Sequence, residues 1–234
     1  MASVADVPRQ MIERGRDLAL APVRPFLPAG SVDEWGRDEH VLSALGPLFQ
    51  LRWDTLVGGE QHLPARKGAL LVTNDRRLSF SPLYTSWALA RATGRPVRFV
   101  GHPDIAPFGP VLRRLGAILH DPVEVRGALR HGELVVLGAA PTRHPRHAGA
   151  VDVSMVGAAV LAGVGVHPVA SMSSPIGRSA RVQVGAAVRL RTKRRGPLAE
   201  VEIAEATQHH LQRQLDELGG VTTGMAPLDW LGEG

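Results

Sequence analysis

The chain has no cysteine in its 234 residues. Disulfides, thiolate nucleophiles and cysteine-ligated metals are therefore excluded together, and a reducing compartment suits the composition. Lysine is almost as scarce. Lys67 and Lys193 are the only two, so the net charge of +5 rests on arginine. Arginine's planar fork binds two oxygens of a phosphate at once. An Ala, Arg, Gly and Val-rich composition also follows from GC-rich coding DNA, so the overall bias identifies no partner by itself. Aromatic residues are few and the usual nucleic-acid-binding motifs are missing, so no nucleic acid is expected. The histidines lack the paired spacing of metal ligands, so neither a metal nor another cofactor is expected. Long apolar runs are missing too. The longest, Met155 to Val166, "MVGAAVLAGVGV", falls short of the roughly 20 residues of a membrane span. It predicts a small-residue helix packed close to a sheet, followed by a buried strand. The opening residues, "MASVADVPRQMIERGRDL", carry charge throughout and have no apolar centre, unlike a signal peptide.

What is present is an alternation of short apolar runs with helical patterns. Residues 4–20 place Val7, Met11, Ile12, Leu18 and Leu20 against Arg9, Glu13, Arg14, Arg16 and Asp17, until Pro22, Pro25 and Pro28 break the pattern. A basic amphipathic helix of this kind packs as a terminal helix or lies on an anionic membrane. "HVLSALGPLF", residues 40–49, predicts a second short helix. "RWDTLVGGEQHLP" reads as a strand and a turn, and "GALLVTN", "PVRFVG", "ELVVLG" and "VHPVASM" read as strands. "LYTSWALARATG", "PFGPVLRRLGAIL", "PVEVRGALRHG" and "DVSMVGAAVLAGVG" read as the helices between them, the second started by Pro and Gly and running into a strand. "ARVQVGAAVRLR" alternates like an exposed or edge strand. "LAEVEIAEATQHHLQRQLDEL" predicts a long helix ending at Gly219-Gly220. Strands separated by helices of about ten residues point to βαβ units, hence to an α/β fold with a single sheet flanked by helices and an N-terminal helical segment. The expected organisation is a helical extension over 1–50, an α/β domain over 51–220 and a flexible tail over 221–234.

Four blocks between Trp53 and Ser174 carry a resemblance. The first is "LLVTNDRRLSFSPL", Leu70 to Leu83. The second is "RFVGHPDIAPFGPVLRRLGAILHDP", in which Pro107 to Ile118 is the most specific string. The third is "ELVVLGAAPTRHPR", with Thr142 and Arg143, and the fourth is "VGVHPVA", Val164 to Ala170. In this order they resemble the glycerolipid acyltransferase family, which includes the lysophosphatidic acid acyltransferases. The resemblance implies a glycerol-3-phosphate acyltransferase-like α/β fold. It also implies a pocket near Phe108, Gly109, Arg113 and Gly116, with Arg114 adding positive charge at its mouth. Phosphate or substrate would be held by Thr142, Arg143, Arg76 and Arg77, with Arg146 nearby.

The catalytic letters depart from the family's pattern. Its first block ends in Ser/Thr-Asn-His, then four residues, then Asp and Pro; here Asp75 stands at the histidine position, and Phe80 or Ser81 at the aspartate position. Pro122 replaces the arginine that closes the second block. Ala140 and Pro141 replace the glutamate and glycine of the third. In the family, the histidine removes the acceptor hydroxyl's proton while the aspartate orients the imidazole. An aspartate carboxylate, with a reference pKa near 3.9, is a far weaker base than imidazole. A substitute would have to come from His62, His102, His120, His144, His147 or His167. Ser79 and Ser81 have no identified base to make either a nucleophile.

The expectation is an acyltransferase-superfamily protein that binds a phospholipid, an acyl chain or an acyl thioester without efficient catalysis. The alternatives are an active glycerophospholipid acyltransferase with a rearranged site, and a basic peripheral-membrane scaffold. "RLRTKRR", Arg189 to Arg195, suits an anionic membrane surface, and suits a solvated strand end as well. A cytoplasmic location, at the inner face of the plasma membrane, goes with these readings, and the oligomeric state is left open.

Overall fold

A computed structural model describes residues 32–75, 80–101, 108–144, 146–174, 177–188 and 196–219. The expected helix over 4–20, the tail over 221–234 and the basic run 189–195 lie outside the described residues, as do Arg76, Arg77, Ser79 and His102.

Short buried strands and helices alternate along the described chain: α1 (Glu39–Arg52), β1 (Asp54–Gly58), a single 3₁₀ turn (Glu60–His62), β2 (Ala69–Thr73), α2 (Ser81–Thr93), β3 (Val97–Gly101), α3 (Gly109–Arg114), β4 (Ala117–Leu119), α4 (Pro122–Arg130), β5 (Leu134–Gly138), α5 (Val153–Ala162), β6 (Gly165–Ser173), β7 (Ser179–Val184) and α6 (Pro197–Leu218). Helix starts follow local chemistry. Asp38, Asp121 and Asp152 stand just before α1, α4 and α5; the carboxylates of Asp38 and Asp152 each accept two backbone N–H groups of the first turn, and that of Asp121 accepts one, from Val123. Gly94 and Gly163 end α2 and α5 at φ 64° and 72°, a conformation in which a Cβ is disfavoured.

The strands form one mixed seven-stranded sheet in the order β1-β7-β6-β2-β5-β3-β4. β6, β2, β5, β3 and β4 are parallel, whereas β7 pairs antiparallel with β6 and carries β1 parallel to itself. Every residue of β2 is buried, as a central parallel strand covered on both faces requires. Alternate side chains serve two cores. Leu70 and Val72 pack with α4, α5 and part of α6, while Ala69 and Leu71 pack with α1, α2 and α3. Ala170 and Met172 of β6 meet Leu211 and Leu215 at the far end of α6.

The "ARVQVG" segment differs from its expected position. It is the second strand from the edge, and β1 takes the edge instead. Its alternation is real: Val182 is 1% and Val184 0% exposed, while Arg181 faces solvent. Such alternation reports one uncovered face rather than an unpaired edge.

The segment before α1 is tied to the α/β body. Arg98 of β3, 1% exposed, places NH2 2.5 Å from Asp33 Oδ2 and its guanidinium over the Trp35 ring. Arg114 NH1 donates to the buried carboxylate of Asp38 at 2.9 Å. Among the described residues no helix is long and apolar enough to cross a membrane.

Candidate functional site

Adjacent strands β2 and β5 send their chains to opposite faces of the sheet. From β2 the chain enters α2 and returns as β3; from β5 it enters α5 and returns as β6 on the other side of β2. Where neighbouring parallel strands diverge in this way, a crevice opens beyond their carboxyl ends, and ligands of α/β proteins bind there. A cavity of about 1070 Å³ occupies this position. Leu83, Phe99, Leu112 and Leu137 give it apolar walls, and Phe80 and Phe108 stand at it with 63% and 70% of their surface exposed. Among the described residues its lining has three side chains that can carry charge: Asp75, His120 and Asp152.

Backbone hydrogen bonds fix the cavity floor. Ala139 N donates to Thr73 O at 2.8 Å, Thr142 N to Asp75 O at 3.2 Å and Ala140 N to Ala150 O at 2.8 Å. The turns that follow β2 and β5 are thus bound to each other. The β2 turn is also anchored to β6 by Asn74, whose carboxamide is buried against the backbone of Ser171. Asp75 follows directly, half-buried at the cavity wall.

His120 and Asp152 form the second polar feature of this wall. His120 follows β4, and its Nε2 lies 3.2 Å from Asp152 Oδ2. The other carboxylate oxygen of Asp152 accepts the Ser154 hydroxyl at 2.6 Å and the N–H groups of Ser154 and Met155 at 2.8 and 3.4 Å. Burial pushes the Asp152 carboxyl up, but the Ser154 and Met155 hydrogen bonds and nearby His120 outweigh it and hold the carboxyl below its ordinary value. The side chains of His120 and Asp152 are 46% and 34% exposed, open enough for a ligand in the cavity to meet them.

The other site residues named from the sequence are distributed more widely. Asp75 and Phe108 line the cavity; Gly109, Arg113 and Gly116 are not part of its lining. Arg113 faces Glu124 at 3.7 Å and Arg114 is held by Asp38, so both guanidiniums serve the packing of α3. Thr142 and Arg143 stand beyond Pro141, outside the lining. Thr142 Oγ1 lies 2.8 Å from His144 O and 3.1 Å from His147 O, sharing its proton within its own turn, and Arg143 is exposed. His144 and His147 are exposed in that turn with ring centroids 5.0 Å apart. Ser81 is the first residue of α2. His167 is buried inside the sheet with Nδ1 3.0 Å from Gly185 O; burial lowers its pKa, the Gly185 hydrogen bond works against that, and nearby His62 adds to the lowering. Of the six histidines considered, His120 is the one in the cavity lining among the described residues. Asp152, its partner, was not anticipated. The sequence signal for it is the aspartate immediately preceding the "VSMVGAAV" helix, a capping pattern that reveals nothing of a histidine 32 residues earlier. No group of three or more His, Asp or Glu side chains that could hold a metal ion is assembled among the described residues.

The fold has a counterpart among solved structures. The crystal structure of a 1-acyl-sn-glycerophosphate (LPA) acyltransferase, PlsC, from Thermotoga maritima matches with a TM-score of 0.57 over 90% of this chain and 99% of that chain, at 17% sequence identity. No family model matches the chain, and no curated protein matches it. The likeness shows a shared fold: one mixed seven-stranded sheet between helices, of the type seen in that acyltransferase.

Proposed function

We propose that the cavity holds the acyl chain of a phospholipid or an acyl thioester, and that acyl transfer by the family's own route is absent from this protein. The observation that carries the reading is the apolar crevice itself. Its volume of about 1070 Å³ stands at the top of the roughly 300–1,000 Å³ range of small-ligand sites, and its walls are aliphatic and aromatic. Exposed Phe80 and Phe108 at the cavity suit entry of a lipid from a membrane surface. At the turn after β2 the wall offers a carboxylate, Asp75, where the family has imidazole. Phe80 has no acid–base function, and Ala140 supplies no carboxylate after β5.

The test is binding of saturated fatty acids of increasing length, read by displacement of a dansyl-labelled fatty acid. Each buried methylene adds about 0.8 kcal/mol, roughly fourfold in affinity, so affinity climbs with length and levels off once the cavity is full. Leu112→Trp, which narrows the cavity, weakens long chains at least tenfold and short ones less. Affinity that does not depend on chain length, or that ignores Leu112→Trp, overturns the reading.

A further inference from the structure

We propose that the acidic segment Leu228 to Glu233 of this chain docks in a groove between α1 and α2, on the face of the sheet away from α6. The proposal does not depend on the chain-binding reading, because it concerns a second opening. Two openings of about 730 and 520 Å³ lie beside α1 and α2 and share Gln50 and Arg91, so they join into one groove that reaches the edge strand β1. The larger lobe has Leu83 alone in common with the crevice lining. Leu42, Phe49 and Trp87 give it an apolar wall. Arg91 stands at the junction of the lobes, its guanidinium 5.1 Å from the centre of the Trp87 ring. Among the described residues Arg91 has no carboxylate partner and no side-chain hydrogen bond. The other arginines of the larger lobe are occupied: Arg37 pairs with Glu39 at 3.0 Å, and Arg95 donates to the carbonyls of Pro64, Lys67 and Gly132. In the smaller lobe Arg178 spends one nitrogen on Gln50 O at 2.8 Å and stands in the same lining as Asp54. The groove therefore offers apolar surface with an uncommitted cation at its centre, which calls for an apolar partner that brings a carboxylate.

The sequence supplies one. "PLDWLGEG", residues 227–234, combines Leu228, Trp230 and Leu231 with Asp229 and Glu233 and has no basic side chain. Tryptophan is the commonest kind of anchor for a pocket of this make-up. The 31 residues before Val32 carry four arginines against three carboxylates, so the charge match favours the acidic segment over them. The path is short enough. Arg181 Nη1 lies 3.5 Å from Leu218 O, which places the end of α6 beside β7. Arg178, in the groove lining, is three residues before Arg181. Arg181 and Val182 point to opposite faces, and Val182 belongs to the core that holds α1 and α2. The chain must therefore pass round the edge, and β1 is the single strand beyond β7. Residues 220–227 span up to about 26 Å at roughly 3.3 Å each, against a strand spacing of about 4.8 Å.

The experiment uses the full chain labelled with fluorinated tryptophan and read by fluorine NMR. The chain has four tryptophans, and the Trp230 signal is the one lost in Trp230→Phe. With the segment docked, this signal is shielded from a soluble gadolinium chelate, and added salt weakens the shielding because the groove is open to solvent. Arg91→Glu abolishes the shielding and Arg91→Ala removes part of it. Arg91→Glu combined with Asp229→Arg and Glu233→Arg restores part of it, which an indirect effect on the fold would not do. Arg91 is exposed, so these variants stay folded, and the unfolding midpoint checks that they do. A Trp230 signal relaxed as strongly as free tryptophan, or shielding that survives Arg91→Glu, overturns the proposal. Shielding that grows with protein concentration, together with a dimer in sedimentation, gives the groove to the segment of a second copy and overturns docking within one chain.

Discussion

Asn74 and Ser171 exchange two hydrogen bonds between neighbouring strands: Ser171 N donates to Asn74 Oδ1 at 2.8 Å, and Asn74 Nδ2 donates to Ser171 O at 2.9 Å. The backbone ladder between β2 and β6 ends at the pair Thr73 and Val169, although β6 runs on to Ser173. The carboxamide therefore supplies the donor and the acceptor that a longer β2 would have offered. Thr73 Oγ1, 2.8 Å from Ser171 Oγ, completes the clamp.

Replacing Asn74 by Ala leaves a buried N–H and a buried C=O without these partners. Each orphaned group costs about 1–3 kcal/mol, so Asn74→Ala lowers stability by roughly 2 kcal/mol or more, measured by urea unfolding. Asn74→Asp costs less than Ala, since one oxygen still accepts from Ser171 N. An unchanged midpoint in Asn74→Ala would show that β6 does not depend on the clamp.

Asp152 separates into two roles by substitution. Asp152→Ala removes the cap of α5 and lowers stability by about 1 kcal/mol. Asp152→Asn keeps the cap and loses only the share of the ionised carboxylate, so it lowers the unfolding midpoint less than Asp152→Ala does at pH 7. Equal losses in the two variants would place the stabilising effect in the charge pairing with His120 rather than in the cap.

His167 gives the protein an acid-sensitive window. Burial lowers its pKa from the ordinary 6.5, so the unfolded state binds a proton more readily than the folded one. Stability from the neutral ring is complete above about pH 6.5 and falls as pH drops below that value toward the folded pKa. The Asp152 contribution is lost only at lower pH, as pH falls from 3.8 through its folded pKa. His167→Gln flattens the slope just below pH 6.5 in a series of thermal unfolding curves. A slope that persists in this variant assigns it to other histidines.

Gly149 holds the cavity wall in place by having no side chain. A Cβ there would lie 1.8 Å from Ala140 O, which is backbone and cannot rotate aside. Gly149→Ala therefore pushes the Ala140 segment off its hydrogen bond with Ala150 and lowers both stability and fatty-acid affinity. Retained affinity in a folded variant would mean that the chain does not rest on this wall.

Much of the fold was legible because five-residue buried strands and amphipathic or small-residue helices leave distinct periodic patterns, as "ALLVT" and "VSMVGAAVLA" do. Their order along the chain then constrains a βαβ sheet. The position of β7 was not legible, since alternation reveals how many faces are covered and is silent on which strand lies beside it. The cavity wall was legible at the end of β2, where local sequence places Asp75. It was not legible at His120, because the partner that singles this histidine out comes from a different helix. Arg113 and Arg114 illustrate the opposite case. Two adjacent charges suggest an anion site, yet Glu124 and Asp38 neutralise them in three dimensions.

The sheet keeps two separately packed cores, and the cavity is bordered by elements from each. Asp75, Phe80 and Leu83 lie with α2 on one side; His120 and Asp152 lie with α4 and α5 on the other. The two banks meet at the floor, where Thr142 N donates to Asp75 O at 3.2 Å, so substitutions that face each other across the shared cavity couple rather than add. For a lineage, that division means the core behind one bank can be repacked while the core behind the other keeps its own contacts.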